Sequence, residues 1–292
     1  MCIVIKYKDC VGRNFDYEKS FKEIPRMYDK EKYKIWGMCT GLIKNYPLYY
    51  DAVNEHGLFI AGLNFEGNAH YRISTVEKDI NIPSWDLPIQ ILGNCKTVEE
   101  VKKYLKNANI TRQRFNNDLP NSELHWFICD KDKSIVVEQT VDKGLSIYDN
   151  PYDILTNNPP FDYMQKMIKN RNSVITNKIR EIYNKLMPKE CVTRGTETLG
   201  LTGDLTSIGR FKRANFYLNK LYKSNTKFSN HVETFHLLDS VKQLYGATPV
   251  GDKFEYTIYE VVYDLSNMMM YIKPYKVRNS ISIDLKNGKI GD

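Results

Sequence analysis

Cys2 follows Met1 directly, and this placement could supply a nucleophile and a base on one residue. Because Cys has a small side chain, we expect Met1 to be removed, which leaves a thiol beside a free α-amine. A model thiol titrates near ~8.5 and an α-amino group near ~7.7–8.0, so the amine is a base suited to neutral pH. N-terminal amines are known activators of nucleophiles. The placement predicts covalent catalysis by Cys2, although a Cys at this position alone is more often a small buried apolar residue.

Arg13 and Asp16 are the charged residues that a short hairpin would bring near Cys2. Residues 2–7 and 10–16 have the composition of two strands around a tight turn. The Asp16 carboxylate could accept a hydrogen bond from the α-amine, and the Arg13 guanidinium could stabilise a thiolate. Residues three apart in a strand lie on opposite faces, so we expect a bend or bulge if both serve one site. The alternative is a solvated Arg and Asp near a turn.

The elements that position these residues are predicted to be strands towards both ends of the chain, with helices between them. Strands are predicted at 2–7, 10–16, 34–43, 50–54, 58–64, 123–130, 134–140, 144–148, 154–157, 253–263 and 267–275, and helices at 97–107, 160–187, 209–223 and 229–244. This order favours an α+β fold in which stacked sheets are covered by helices. We expect a single domain over residues 1–292.

Composition excludes several classes of protein. The 292 residues are 42% hydrophobic and 26% charged, with a net charge of +7 that comes from scattered residues, so a nucleic-acid-binding arm is not expected. No apolar run reaches the ~18 residues of a membrane span, and the first residues lack the apolar core of a secretion signal. The six Cys include no CxxC pair and the five His no HExxH pair, so no metal, cofactor or disulfide framework is expected. We expect a cytoplasmic protein whose remaining Cys residues are inert buried thiols.

A set of short motifs runs in order over nearly the whole chain. After the initial MC come GRNFDY (12–17), NEHGLFIAGLNF (54–65), SELHWFICD (122–130), KSIVVEQT (133–140), LTNNPPFDY (155–163), GLTGDLTSIGRF (200–211) and EYT (255–257). This ordered set resembles the choloylglycine hydrolases, which include bile salt hydrolases and penicillin V acylases among the N-terminal nucleophile hydrolases. The resemblance implies a four-layer αββα sandwich of two antiparallel sheets.

The resemblance implies roles for the N-terminal residues. Cys2 would be the nucleophile after removal of Met1, and its α-amine would act first as the base and then as the acid. Arg13, from the GRN motif, would lie against the thiol. Asp16, from the same motif, would orient the amine.

The resemblance also implies roles for three residues further along the chain. Asn64 and Asn157 would contribute to an oxyanion hole, and Arg210 would brace Cys2 and Asp16. The chemistry is consistent, because acyl transfer develops an oxyanion that preorganised neutral donors stabilise. Without the resemblance, Asn64 would be read as a turn residue and Asn157 as a cap at the end of a strand.

Similarity to the family further implies an acyl pocket. Its predicted lining is Phe15, Lys44, Tyr50, Phe115, Leu119 and Leu124. A mostly apolar site with a few polar groups is typical for a small ligand, and the apolar residues suit a steroid face. Lys44 and Tyr50 are more polar than the usual contacts.

The chain departs from the family pattern at several places. Ile3 stands where relatives usually carry Thr, Thr202 where many carry Pro, and Gly209 where Ser is usual. The stretch between Asp16 and Asn64 is short, which indicates a trimmed loop at the pocket. None of these changes removes a catalytic group, and they bear on the substrate pocket.

Three functions follow as hypotheses. The first is hydrolysis of glycine- or taurine-conjugated bile salts through a thioester on Cys2, favoured by Asn64, where penicillin V acylases usually carry Tyr. The second is the same chemistry on penicillin V, N-acyl homoserine lactones or N-acyl amino acids, or transfer of the acyl group to an amine. The third is a catalytically silent binding relative. The resemblance also implies a homotetramer, with an assembly arm within about residues 185–205.

Overall fold

The computed structural model describes residues 1–77, 80–119, 121–169, 178, 181–182, 185–186, 198–224 and 226–291. Within these ranges the N-terminal hairpin lies inside the first sheet, with other strands on both sides of it. Its strands are β1 (Ile3–Tyr7), β2 (Cys10–Tyr17), β12 (Ile154–Leu155), β13 (Thr248–Val250), β14 (Lys253–Asp264), β15 (Met269–Pro274), β16 (Ile281–Asp284) and β17 (Ile290–Gly291). The order is β12-β1-β2-β14-β15-β16-β17, with β13 paired to β14. All pairings in this sheet are antiparallel.

The second sheet is also antiparallel and carries the motifs between residues 54 and 140. Its strands are β3 (Glu23–Tyr28), β4 (Ile35–Thr40), β5 (Tyr49–Asn54), β6 (Phe59–Asn64), β9 (Leu124–Cys129), β10 (Ser134–Thr140) and β11 (Gly144–Asp149). They follow the order β11-β10-β9-β6-β5-β4-β3. A separate parallel pair joins β7 (Ile80–Pro83) to β8 (Ala108–Thr111).

Helices cover the outer face of each sheet. The described helices are α1 (Leu87–Asn94), α2 (Val98–Leu105), α3 (Phe161–Lys169), α4 (Ser207–Lys223) and α5 (Asn230–Asp239). The first of these packs on β4, β5 and β6, whereas α4 and α5 pack on the first sheet. The layers therefore follow the order αββα, as predicted.

The side chains of the second sheet lie in two hydrophobic cores, one on each face of the sheet. On β6, Phe59, Ala61 and Leu63 join the core that contains the first sheet, whereas Ile60 joins the core beneath α1 and α2. Successive side chains of a strand point to opposite faces, so a strand buried on both faces reads as a continuous apolar run. This is why FIAGL contains no polar residue.

The hairpin that carries Cys2 closes with a two-residue turn. Tyr7 pairs with Cys10 and Ile3 with Asn14, and Lys8 in the turn adopts a positive φ of 54°. The Asn14 side chain donates to the main-chain oxygen of Leu238, which ties the hairpin to α5. The neighbouring strand β14 is irregular between residues 257 and 259, opposite the end of β2.

Several elements differ from the sequence expectations. The fourth predicted helix ends at Asp239 rather than at 244, and β3, β7, β8, β13, β16, β17 and α1 were not predicted. The predicted helix at 160–187 is described as a continuous helix only over Phe161–Lys169, and much of the rest lies outside the described residues. The predicted assembly arm at about 185–205 also lies largely outside them. No helix of the described ranges is long and apolar enough to cross a membrane.

Candidate active site

Cys2 is buried at the start of β1, with 3% of its surface exposed. Its thiol lies 3.3 Å from Nη2 of Arg13, which donates to the sulfur. The thiol is also 3.8 Å from the main-chain oxygen of Asp16. A guanidinium is therefore in direct hydrogen-bonding contact with the sulfur.

Arg13 crosses the space between the two sheets and is fixed at both ends of its guanidinium. Nη2 donates to the main-chain oxygen of Gly62 at 2.7 Å, and Nη1 donates to Asp51 at 3.3 Å and to the main-chain oxygen of Tyr50. Burial alone would lower the pKa of Arg13, but the Cys2 side chain, Tyr259 and Asp51 raise it above its usual value. The cation beside the sulfur is therefore permanent.

Asp51 is the buried counter-ion of Arg13. Its Oδ2 accepts the Tyr259 hydroxyl at 2.7 Å, and its Oδ1 accepts the Tyr263 hydroxyl at 2.6 Å. Burial raises the pKa of Asp51, whereas Arg13 and the two hydroxyl donors oppose that rise. The sequence analysis did not select Asp51. An Asp inside a strand with apolar neighbours would have been the signal, because Asp is rarely buried unless it is paired.

Asp16 lies on the helix side of the first sheet. Its Oδ1 accepts the Thr257 hydroxyl at 2.6 Å, and its Oδ2 accepts Nε2 of Gln243 at 3.0 Å and Nη1 of Arg210 at 3.5 Å. All four residues are fully buried or nearly so. Neither Gln243 nor Thr257 was selected from the sequence as a site residue.

Arg13 and Asp16 reach Cys2 from opposite faces of β2. The thiol of Cys2 faces Arg13 and the second sheet, whereas its main-chain oxygen accepts Nη1 of Arg210 at 3.0 Å on the helix side. The strand β2 therefore needs no bend. Arg13 contacts the side chain of Cys2 on one face of the sheet, and Asp16 is linked to the main chain of Cys2 through Arg210 on the other face. The irregularity is instead in β14, beside Asp16.

Asn64, Asn157 and Arg210 form one chain of hydrogen bonds. Nδ2 of Asn157 donates to the main-chain oxygen of Asn64 at 2.8 Å, and Oδ1 of Asn157 accepts Nη2 of Arg210 at 3.1 Å. Arg is only a donor, so the amide of Asn157 has a single orientation consistent with both contacts. Burial lowers the pKa of Arg210, and Asp16 and Cys2 oppose that shift.

Met1 precedes Cys2 in the structure and occupies the same side as Asp16. Its ammonium donates to the main-chain oxygen of Asp16 at 3.1 Å and pairs with the Glu255 carboxylate. Burial lowers the pKa of this amine, with Cys2 and Asp16 opposing. The other five residues predicted to be catalytic are thus brought together around Cys2, and Glu255 adds a further carboxylate.

The predicted pocket residues fall into two groups. Phe15 lies 4.6 Å from Tyr50 and 5.1 Å from Tyr259, measured between ring centroids, and its ring is 5.0 Å from Cζ of Arg13. Leu124 pairs with Asn64 across the strands β6 and β9. Phe15 and Tyr50 therefore lie beside Arg13, and Leu124 lies beside Asn64.

The other three predicted pocket residues have different neighbours. Phe115 packs against Trp85 at 5.0 Å and Tyr46 at 5.9 Å between ring centroids. The main-chain nitrogen of Leu119 donates to Asn116, and Lys44 is exposed. None of the contacts recorded for the described residues joins these three to the Cys2 group, so their assignment to the pocket stays a prediction.

Known proteins are similar to this chain over most of its length. A family model described as linear amide C–N hydrolases, choloylglycine hydrolase family, matches residues 3–291. A protein of Lactiplantibacillus plantarum named bile salt hydrolase/transferase is 39% identical, over 97% of this chain and 93% of its own. One of Clostridium perfringens with the same name is 35% identical, over 94% and 88%.

The chain belongs to the choloylglycine hydrolase family.

The solved structures agree on the fold of this choloylglycine hydrolase. A mutant conjugated bile acid hydrolase of Clostridium perfringens superimposes with a TM-score of 0.83 and 31% identity, covering 100% of this chain and 96% of its own. A penicillin V acylase of Agrobacterium tumefaciens gives a TM-score of 0.69 at 19% identity, covering 98% and 87%, and shares the fold. The predicted N-terminal nucleophile hydrolase sandwich and the activity class, hydrolysis of linear amide bonds, are confirmed.

Two departures from the family pattern have a structural explanation. Ile3 is fully buried on the strand face that carries Asn14, away from the thiol of Cys2. At Gly209 an added Cβ would lie 2.1 Å from Oδ1 of Asp204. Gly209 therefore leaves room for the Asp204 carboxylate at the start of α4, and the Arg210 contacts are kept.

Proposed function

We propose that this protein hydrolyses glycine- or taurine-conjugated bile salts through a thioester on Cys2. Three relatives support the substrate class by name, at identities of 39%, 35% and 32%. The observation that carries the proposal is Asn64, held through its main-chain oxygen by Asn157 beside the Cys2–Arg13 pair. Penicillin V acylases usually carry Tyr at this motif position.

The first half of the reaction forms the thioester. After Met1 is removed, the α-amine of Cys2 takes the thiol proton, and the thiolate attacks the amide carbonyl carbon. The second amide hydrogen of Asn157 and a donor at Asn64 bind the developing oxyanion. The α-ammonium then returns its proton to the nitrogen of glycine or taurine, the carbon–nitrogen bond breaks, and the amino acid leaves.

The second half releases the bile acid. The same α-amine takes a proton from water, and the hydroxide attacks the thioester carbon through a second oxyanion. The carbon–sulfur bond breaks, and the α-ammonium reprotonates the sulfur. Arg13 stays protonated throughout and favours the thiolate as leaving group, since a thiolate is stabilised by a nearby cation.

Interception of the thioester by an amine would give acyl transfer instead of hydrolysis. Two of the most similar relatives are named hydrolase/transferase, which supports testing this outcome. Incubation with cholyl conjugates and excess free amino acid, followed by mass spectrometry, would show new amides if transfer competes with water.

The test is turnover of purified enzyme in reducing buffer, followed by mass spectrometry. The panel is glycocholate, taurocholate and penicillin V, with Cys2→Ala and, as a matched buried-cysteine control, Cys95→Ala. We expect cholate release by the wild type and Cys95→Ala, and none by Cys2→Ala. Release of phenoxyacetate instead would move the function to the acylase branch. No turnover by wild type with Met1 removed would reject the proposal in favour of a silent relative or another N-acyl amide.

We further propose that the protein is a cytoplasmic homotetramer of one-domain chains. The tetramer rests on the family resemblance, and the location rests on the expectation drawn above from the sequence. Light scattering coupled to size-exclusion chromatography tests the tetramer, and cell fractionation tests the location. A monomer or a periplasmic fraction would contradict these proposals.

A further inference from the structure

Both carboxylate oxygens of Asp16 are held by neutral donors on the helix side of the first sheet. The Thr257 hydroxyl donates to Oδ1 at 2.6 Å, and Nε2 of Gln243 donates to Oδ2 at 3.0 Å. The charged contact from Arg210 is longer, at 3.5 Å. Asp16 therefore owes its orientation chiefly to residues that carry no charge.

The orientation of these two donors is itself determined. The main-chain nitrogen of Gln243 donates to the Thr257 hydroxyl at 3.0 Å, so the one hydroxyl hydrogen is left for Asp16. The Thr248 hydroxyl donates to Oε1 of Gln243 at 2.7 Å, which turns Nε2 towards Asp16. If the Thr257 hydroxyl or the Gln243 amide turned so that its donor and acceptor exchanged places, it would lose a second hydrogen bond as well as the one to Asp16.

Gln243 also contacts Met1. Nε2 donates to the main-chain oxygen of Met1 at 3.3 Å in addition to Asp16. Removal of Met1 takes that acceptor away and exposes the α-amine of Cys2 on the same side. Gln243 and Thr257 are both 0% exposed, so solvent does not reach either donor in this structure.

We propose that Gln243 and Thr257 are positioning residues that clamp the Asp16 carboxylate against the α-amine of Cys2. This inference rests on the proposed function, in which that amine is the base. Thr257 gives a role to the EYT motif, which the sequence analysis found without a function. Loss of either donor leaves the negative charge of Asp16 less compensated by hydrogen bonds, so the carboxylate would hold the nearby amine more strongly in its protonated form.

The test compares Thr257→Val, Thr257→Ser, Gln243→Leu and Gln243→Glu. A matched control is Thr234→Val, because Thr234 is also fully buried but its hydroxyl donates to the main chain within α5. General acid–base catalysis typically contributes ~10²–10⁴-fold, so we expect kcat to fall by about 10-fold to 100-fold in Thr257→Val and Gln243→Leu, with KM within about twofold. Thr257→Ser should restore kcat to within about threefold.

A pH profile separates positioning from a structural role. The acid limb of kcat/KM should move to higher pH in Thr257→Val and Gln243→Leu, and furthest in Gln243→Glu, because added negative charge favours the ammonium. Thr234→Val should leave the limb in place. Unchanged limbs with kcat within twofold of wild type would overturn the proposal, as would failure of Thr257→Ser to rescue.

A second readout needs no substrate. The rate at which iodoacetamide alkylates Cys2 is followed against pH, after intact mass shows that Met1 has been removed. A matching shift of this profile in the variants supports the clamp even if wild type fails to hydrolyse bile salts, so the two proposals can fail separately. Identical profiles for all variants would overturn the clamp. If Thr257→Val does not fold, the profiles of Gln243→Glu and Thr257→Ser decide alone.

Discussion

Replacing Asp51 by Asn should weaken both the fold and the reaction, because Asp51 is the buried partner of Arg13. The substitution keeps the volume and removes the charge that faces Nη1 of Arg13 at 3.3 Å. Breaking a buried ion pair by removing one partner costs about 3–5 kcal/mol, because the other charge is left uncompensated. At about 2–4 °C for each kcal/mol, the thermal midpoint should fall by about 6–20 °C.

The effect on catalysis follows from the other contacts of Arg13. Its bonds to the main-chain oxygens of Tyr50 and Gly62 remain, so the guanidinium should stay near Cys2 but lose part of its alignment. A misplacement of about 1 Å can cost about 10²-fold in rate, and we expect kcat/KM to fall by about that factor.

The assay is a thermal melt at fixed protein concentration together with turnover of the best conjugate. Tyr263→Phe removes one hydroxyl donor from Asp51 and keeps the ring, so its loss should be smaller, about 1.5–3 kcal/mol for a hydrogen bond to a charged group. Asp252→Asn, on an exposed turn, serves as the surface control. A melt of Asp51→Asn within about 2 °C of wild type, with unchanged turnover, would refute the ion-pair reasoning.

Three further outcomes are expected. Iodoacetamide at neutral pH should label Cys2 first, because burial raises the pKa of Cys39 to about 11 and of Cys95 to about 12; peptide mapping that finds either of those labelled first would contradict this. Burial lowers the pKa of the amine of Met1, and we expect burial to act in the same direction on the α-amine of Cys2, the next residue, so in the trimmed enzyme the acid limb of kcat/KM should lie below the ~7.7–8.0 of a free α-amine; a limb above pH 8 would show that the neighbouring carboxylates dominate instead. Asn157→Ala should lower kcat by about 10²–10³-fold with little change in KM; a loss confined to KM would place Asn157 in substrate binding.

Much of the site could be predicted because its signals are local or ordered along the chain. Arg13 and Asp16 belong to one short motif, and Asn64 sits in another that ends a strand. The hairpin around Lys8 pairs Ile3 with Asn14 as expected from the turn. Family resemblance supplied the roles that spacing alone left open for Asn64.

Other elements could not be predicted because tertiary packing overrides local pattern. Strand β3 contains Pro25 between Ile24 and Arg26 and has mixed exposure, so its alternation is weak. Beyond the helix that ends at Asp239, the main-chain oxygen of Gln243 accepts the Thr257 N–H at 3.0 Å, and the Gln243 N–H donates to the Thr257 hydroxyl. These contacts hold the residues after the helix against β14 instead of continuing the helix. No periodicity in residues 229–244 signals that stop.

The prediction that Cys2 is the nucleophile came from the sequence itself, because a Cys next to Met1 and the ordered family motifs can be recognised without a structure. The membership in the choloylglycine hydrolase family was determined in the same way, by motifs in a set order. Only the tertiary structure decided what surrounds that residue. Asp51 lies 38 positions from Arg13 and Thr257 lies 241 from Asp16. These partners meet because the two sheets and the helices above them stack on one another. The stacking brings side chains that are distant in the sequence to one buried site, where each charge needs a partner.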